Sequence, residues 1–341
     1  MKCAVFYGKR NIKVEERPIP KIGETEVLIR VKACGICGTE IGMYTGRIQY
    51  SNKIVGRIIG HEVTGIIEER GNNVENYLIG EKVVLLPTVS CGRCSYCKAG
   101  NENLCHDIIG IGHDIDGGYA EYIKVNTQFL AKLPQNVSLN EGVLLTDCLP
   151  TAMHAIDNFA NIKAGTSVGI WGTGGQGLIA LQIAKLNGAN VILVGRRKKK
   201  LELAKELGAE YIIDIENEDV YKQIREYTNN CGVDIAIETG GYPLAITQSI
   251  ATVRRGGVVI LVGLQKEQVF DIEDLVWHEK SVIGSFWSTL NDFSRGIHLV
   301  NKKKIILEPL ISHTYKLDQI EDAFNLLERR DQYVAKVIIE P

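Results

Sequence analysis

The chain has 341 residues, enough for two domains with full cores, and 45% of it is hydrophobic. Thirty-nine Lys and Arg stand against 41 Asp and Glu, a formal net charge of -2, which argues against a general nucleic-acid or membrane-surface protein. No apolar run of about 18 residues occurs, and Met1 leads directly into the alternating Cys3-Ala4-Val5-Phe6-Tyr7 without a basic leader, so a soluble, cytoplasmic protein is expected.

The first 150 or so residues read as short strands broken by glycine, at 27–31, 63–68, 82–86 and 120–125. Such spacing predicts a compact, mainly β, barrel-like domain. Between these strands lie Cys34-Gly35-Ile36-Cys37-Gly38-Thr39-Glu40 and Gly60-His61-Glu62. A thiolate, an imidazole and a carboxylate from separate loops could form a zinc site with one open position. Taken singly, His61 reads equally as a structural histidine and Cys37 as a buried thiol.

Further on, Cys91, Cys94, Cys97 and Cys105 form a C-x2-C-x2-C-x7-C cluster. Four thiolates this close can close a tetrahedron around one ion, giving a structural zinc site that holds a loop and does no chemistry. A disulfide framework is the alternative, disfavoured by Cys-x-x-Cys spacing in a chain without a secretory signal. The remaining Cys3, Cys34, Cys148 and Cys231 read as small buried side chains rather than nucleophiles.

After Thr151 the pattern changes. A buried strand at 167–171 precedes a helix at 178–186, with Gly188 as a stop and another strand at 191–194. A helix at 199–207 and strands at 211–214, 233–238, 258–262 and 281–286 continue the alternation. Strands alternating with helices predict an α/β fold with a doubly wound parallel sheet, the Rossmann arrangement. An amphipathic helix at 320–329 and a strand at 334–339 read as a return to the first domain. The expected domains are therefore 1–152 with 290–341, and 153–289.

Gly172-Thr173-Gly174-Gly175-Gln176-Gly177 fits G-x-G-x-x-G between a strand and a helix. The first glycine permits the tight turn, the second lets the backbone approach a pyrophosphate, and the third allows close helix packing. Helix N–H groups then face the phosphates. An NAD site expects an acid about 20 residues on. Here the sequence is Gly195-Arg196-Arg197-Lys198-Lys199-Lys200. Gly195 leaves room for a 2′-phosphate and Arg196 or Arg197 offers it a planar fork, so NADP(H) is favoured over NAD(H). Lys199 and Lys200 read as a solvated helix start, and 302–304 as a charged surface turn.

Jointly, Cys-Gly-Ile-Cys-Gly-Thr, Gly-His-Glu, the cysteine lobe and Gly-x-Gly-Gly-x-Gly resemble the zinc-dependent alcohol dehydrogenases of the medium-chain dehydrogenase/reductase family, over essentially the whole chain. The resemblance implies a GroES-like catalytic domain beside the Rossmann domain, two zincs per chain, and a dimer or tetramer. It also implies Cys37 and His61 as catalytic zinc ligands and Glu62 as a nearby, sometimes exchanging carboxylate. The third ligand place falls in Leu145-Thr146-Asp147-Cys148-Leu149-Pro150-Thr151. Asp147 takes that place, with Cys148 the competitor, and the Thr-Asp wording resembles the NADP-dependent secondary alcohol branch. Thr39 falls at the family's hydroxyl proton relay. Glu40 departs from the family's usual Asp and leaves the orientation of His61 open, and Lys336 falls where some relatives carry a pyrophosphate-binding arginine.

The implied reaction is reversible hydride transfer between a small alcohol or carbonyl compound and NADP, with zinc as Lewis acid and Thr39 as proton relay. Simple secondary alcohol, diol, sugar and polyol substrates all fit, and Tyr44, Tyr50, Phe286 and Trp287 are candidate pocket residues that read at least equally as core packing. An NAD-dependent sorbitol-type dehydrogenase, a zinc-free quinone or enoyl reductase, and a non-enzymatic zinc-ribbon module with a nucleotide domain are the alternatives.

Overall fold

The computed structural model describes residues 1–266, 268, 270–329 and 333–341, and the chain divides into two compact units. The first combines Met1–Asp147 with Ile311–Pro341, and the second is Cys148–Leu310. No helix among the described residues is long and apolar enough to cross a membrane.

The first unit opens with strands β1 (Lys2–Gly8), β2 (Asn11–Glu16), β3 (Glu26–Gly35), β4 (Arg57–Ile58), β5 (Glu62–Arg70) and β6 (Lys82–Leu85). Short strands β7 (Thr88–Val89), β8 (Ile109–Gly110), β9 (Tyr122–Asn126) and β10 (Leu130–Lys132) follow. Helix α1 (Gly38–Thr45) leaves the end of β3, α2 (Ser95–Lys98) lies in the cysteine lobe, and α3 (Leu139–Thr146) closes this stretch. β3 is central. It pairs with β5 along its length, with β9 near its start and with the chain's last strand at Cys34 and Gly35. A strand covered on both faces loses the in-out alternation that a half-buried one shows. Val27, Leu28 and Ile29 are accordingly buried in succession.

The second unit begins with α4 (Cys148–Phe159) and then alternates β11 (Ser167–Trp171), α5 (Gly175–Leu186), β12 (Asn190–Gly195), α6 (Lys198–Glu206) and β13 (Tyr211–Asp214). It continues through α7 (Val220–Tyr227), β14 (Val233–Glu238), α8 (Pro243–Thr252), β15 (Val253–Leu261), α9 (Ile272–Trp277), β16 (Ser281–Gly284) and α10 (Leu290–Asn301). All six strands run parallel in the order β13-β12-β11-β14-β15-β16. The order reverses between β11 and β14, the place where doubly wound sheets bind dinucleotides. β17 (Ile311–Lys316), α11 (Ile320–Arg329) and β18 (Lys336–Glu340) then rejoin the first unit, with β18 antiparallel to β3.

The return starts at Ile311, not at residue 290 as the sequence reading has it, and the second unit begins at Cys148 rather than 153. The reason is polar anchoring of α10 on α4. His154 Nδ1 lies 2.7 Å from Asp292 Oδ2, and Arg295 Nη1 lies 2.6 Å from Asp157 Oδ2. Gly296 also brings α10 so close that an added Cβ would stand 3.0 Å from Leu149 Cδ2.

Packing settles residues that the sequence left open and corrects two other expectations, Cys231 and Lys200. Tyr44 is a core residue of the first unit, its ring centroid 4.9 Å from that of Phe324 on α11. Tyr50 sits edge-on to buried Phe6 at 5.1 Å. Phe286 and Trp287 pack on one another at 4.8 Å, with Phe286 exposed. Cys231, expected inside, is exposed because it lies in a tight turn after α7, where Asn229, Asn230 and Gly232 all have positive φ. Lys200, expected in solvent, is buried on the inward side of α6 with Leu201, Leu203 and Ala204.

Candidate active site and metal centres

Cys37 is the N-cap of α1, and its backbone N–H donates to Glu40 Oε2 at 2.8 Å. Glu40 turns its other oxygen, Oε1, to within 2.7 Å of His61 Nδ1. One carboxylate thus closes the first turn of α1 and fixes the imidazole that follows Gly60, leaving Nε2 directed elsewhere. The longer arm that Glu40 has over aspartate does not loosen His61; it reaches it. Asp147 lies between α3 and α4, with Oδ2 3.5 Å from Cys37 Sγ and 3.7 Å from His61 Nε2. Thr39, half-buried on α1, has its hydroxyl 3.8 Å from the same sulfur.

Cys37, His61, Glu62 and Asp147 each offer a ligand atom within 4.8 Å of the others, and all belong to the first unit. Cys148, the competing residue, is not in this group. The donor chemistry suits a divalent metal: one sulfur, one nitrogen and carboxylate oxygens, buried together. Electrostatics points the same way. Burial and then the Asp147 charge push the Cys37 thiol up, while burial, opposed by Lys336, raises the Glu62 carboxyl. Burial alone would lower His61, but Glu40, Asp147 and Cys37 outweigh it and raise it well above its ordinary value. Anionic donors crowded in a dry site compete for protons, and a cation relieves that competition.

Two further residues beside this group were not placed there by the sequence. His113 sits on the loop between β8 and β9, its ring centroid 5.7 Å from that of His61. Gly112 (φ +73°) permits the approach, since a Cβ there would meet Gly60 N at 3.0 Å. Lys336, which falls where some relatives carry a pyrophosphate-binding arginine, is buried, its ammonium 2.6 and 2.7 Å from the two Glu62 oxygens.

The four lobe cysteines also bring their sulfurs within 4.8 Å of one another. All are free thiols, and Cys94 and Cys97 are 3.5 Å apart at sulfur. A tetrahedron with Zn–S of about 2.3 Å has sulfurs ~3.8 Å apart. Backbone N–H groups of Arg93 and Cys94 lower Cys91 to about 6, favouring the ligating thiolate.

In the second unit the glycine turn follows β11. Gly172 (φ +126°) makes the turn, and a Cβ there would meet Thr239 Oγ1 at 2.4 Å. Gly174, the N-cap of α5, has open space beside it, and Gly175 is the helix's first residue. A Cβ on Gly177 would stand 2.0 Å from Gly172 O, so only glycine lets α5 pack this closely on the turn. Gly195 ends β12, but the space beside it is filled: a Cβ would meet Thr173 Cγ2 at 2.4 Å. The glycine therefore serves packing against the turn as well as leaving a carboxylate out. Arg196 and Arg197 are half-buried, and Arg197 caps α6 at φ +74°, a strained value for a side-chain-bearing residue.

Residues 23–135 match the alcohol dehydrogenase GroES-like domain family, and residues 175–302 match the zinc-binding dehydrogenase family. A sorbitol dehydrogenase of Bacillus subtilis is 36% identical over 348 aligned residues, covering 100% of this chain and 97% of the relative. A Sinorhizobium meliloti protein described as a zinc-binding dehydrogenase, solved with NADP, superposes with a TM-score of 0.90 at 32% identity, covering 100% and 99% of the two chains. An Escherichia coli CFT073 dehydrogenase complexed with NADH gives 0.89 at 28% identity, with the same coverage. The fold is thus that of a zinc-binding dehydrogenase. The chain belongs to the zinc-dependent alcohol dehydrogenases of the medium-chain dehydrogenase/reductase family, and it is an NAD(P)-dependent oxidoreductase.

Proposed function

We propose that this enzyme interconverts a secondary alcohol or polyol and its carbonyl product, with Cys37, His61 and Asp147 holding a catalytic zinc. The observation that carries the reading is the buried group of thiolate, imidazole and carboxylate within 4.8 Å. Bound zinc supplies Lewis-acid polarisation of the substrate oxygen. Glu40 fixes the imidazole by its Nδ1, and Thr39 is within reach to pass the substrate's hydroxyl proton onward. Gly172 makes the turn, its own N–H held by Val194 O, and Gly174, Gly175 and Gly177 at the start of α5 present backbone N–H groups to the pyrophosphate. Gly195, Arg196 and Arg197 favour the 2′-phosphate of NADP over the ribose diol of NAD. A polyol substrate is supported by the likeness to sorbitol dehydrogenase. A zinc-free quinone reductase would leave the Cys37, His61 and Asp147 set without purpose.

The second zinc, on Cys91, Cys94, Cys97 and Cys105, is structural. A homo-oligomer is supported by Ile272, Val276 and Trp277, which expose 61%, 71% and 78% of their surface on α9. Free cysteines throughout support a cytoplasmic location. The deciding experiment follows nicotinamide absorbance with NADP and NAD over secondary alcohols and polyols, before and after chelation. Turnover lost on chelation and regained with zinc supports the reading. Activity that survives complete metal removal sinks it.

A further inference from the structure

The last residue of β14 is Glu238, a carboxylate with 0% exposure. A carboxylate leaves water only where other donors replace the solvent, and backbone N–H groups do so here. Gly240 N–H donates to Oε1 at 2.8 Å, and Gly241 N–H reaches Oε1 at 2.9 Å and Oε2 at 3.1 Å. Successive N–H groups turned toward one anion form a nest, so the loop after β14 is shaped around its own strand's last side chain. The Glu238 carbonyl accepts in turn from Val262 N–H at 2.8 Å and Gly263 N–H at 3.1 Å, just past β15.

Glycine is required where these segments meet. Gly241 has φ +63°, and a Cβ on Gly263 would stand 2.1 Å from Gly241 N and 2.6 Å from Glu238 Oε2. At its other end the same loop is tied to the glycine turn. Thr239 N–H and the Thr239 hydroxyl both donate to Trp171 O, at 2.9 and 3.1 Å. One carboxylate thus holds 239–241 between the turn after β11 and the chain leaving β15.

In a doubly wound sheet a dinucleotide lies across the strand ends where the order reverses, with one mononucleotide on each half. The reversal here falls between β11 and β14. With the pyrophosphate at 172–177, the adenosine half belongs to the ends of β12 and β13, and the nicotinamide half to the ends of β14 and β15. The loop that Glu238 holds borders that second half.

We propose that Glu238 is a positioning residue for the nicotinamide half of the cofactor: by collecting the N–H groups of Gly240 and Gly241, it fixes the segment on which that half rests. This rests on the reading of residues 172–177 as the pyrophosphate turn. Its consequence is asymmetric. Loss of Glu238 should weaken binding of the whole dinucleotide but not of its adenosine fragment, whereas a general loss of structure would weaken both.

The test measures binding to the full-length protein by calorimetry, with NADP and adenosine 2′,5′-bisphosphate, or with NAD and AMP where wild type prefers NAD. Glu238→Ala should raise the Kd of the dinucleotide about tenfold and leave that of the fragment unchanged. Glu238→Gln keeps an acceptor oxygen for both N–H groups and should recover most of the loss. Equal losses for dinucleotide and fragment, no loss for either, or a Gln variant as weak as the Ala variant overturns the proposal. Should Glu238→Ala fail to fold, the crystal structure of wild type with its cofactor decides. A nicotinamide ribose in contact with 239–241, with Glu238 still on both N–H groups, supports the proposal. A cofactor with no atom within about 4.5 Å of that segment overturns it. If wild type binds neither NADP nor NAD, the pyrophosphate reading fails and takes this inference with it.

Discussion

Single side chains explain how the site is held. Glu40 joins a helix cap to an imidazole, so its charge matters more than its bulk. Glu40→Gln should keep the cap but loosen His61, reducing metal affinity about 10- to 100-fold; competition with a chromophoric chelator measures this, and unchanged affinity would refute the role. Gly195 has a comparable double duty. Asp at this position would oppose a 2′-phosphate, yet its Cβ would collide with Thr173 Cγ2 at 2.4 Å. Gly195→Asp alone should therefore lose about 1–3 kcal/mol of stability, seen as a lower urea midpoint. With Thr173→Ala the methyl is removed, and stability should recover. The NADP-to-NAD ratio of kcat/KM in that double variant should then fall below that of Thr173→Ala. An unchanged ratio would mean that Gly195 does not select the cofactor.

Elements are tied together by polar pairs that pH can test. Burial raises Asp292, but His154 and the Thr289 N–H and hydroxyl outweigh it and leave the carboxyl below its ordinary value. A depressed folded value means stability that is present above the unfolded pKa of about 3.9 and lost as pH falls through the lower folded value. Asp292→Asn should cost about 2 kcal/mol at pH 7, with the gap to wild type closing below about pH 4. A gap that widens below about pH 4 would contradict the assignment. The cysteine lobe makes a separate element. Cys97→Ser should lose one zinc and make the loop from 91 to 105 the first site of proteolysis, while the second unit melts as before. Equal zinc content in variant and wild type would remove zinc from the lobe.

On the scale of the whole molecule, the proposed homo-oligomer is tested at α9. Its exposed Ile272, Val276 and Trp277 would be a liability on a monomer. Trp277→Glu should shift the particle to a smaller mass by light scattering, with cofactor binding retained. An unchanged mass would move the contact elsewhere.

How much of this was legible in one dimension follows from which forces are local. Turn chemistry, helix period and short ligand spacing act over a few residues. Hence the four-cysteine lobe, the glycine turn, the strands at 211–214 and 233–238 and helix α11 lie where their sequence put them. The family resemblance, not any local pattern, directed attention to Asp147. Features set by contact between distant segments stayed hidden. β3 extends to Gly35 because β18 pairs there, and α10 belongs to the second unit because His154 reaches Asp292. Tyr44 belongs to a core because Phe324 covers it, and Lys336 is buried because folding sets Glu62 beside it. The sequence by itself determined which donors and turns exist. Only the tertiary structure decided which charges are buried together, because burial and long-range pairing depend on segments as distant in the chain as Glu62 and Lys336, 274 residues apart, and on the loss of water around them.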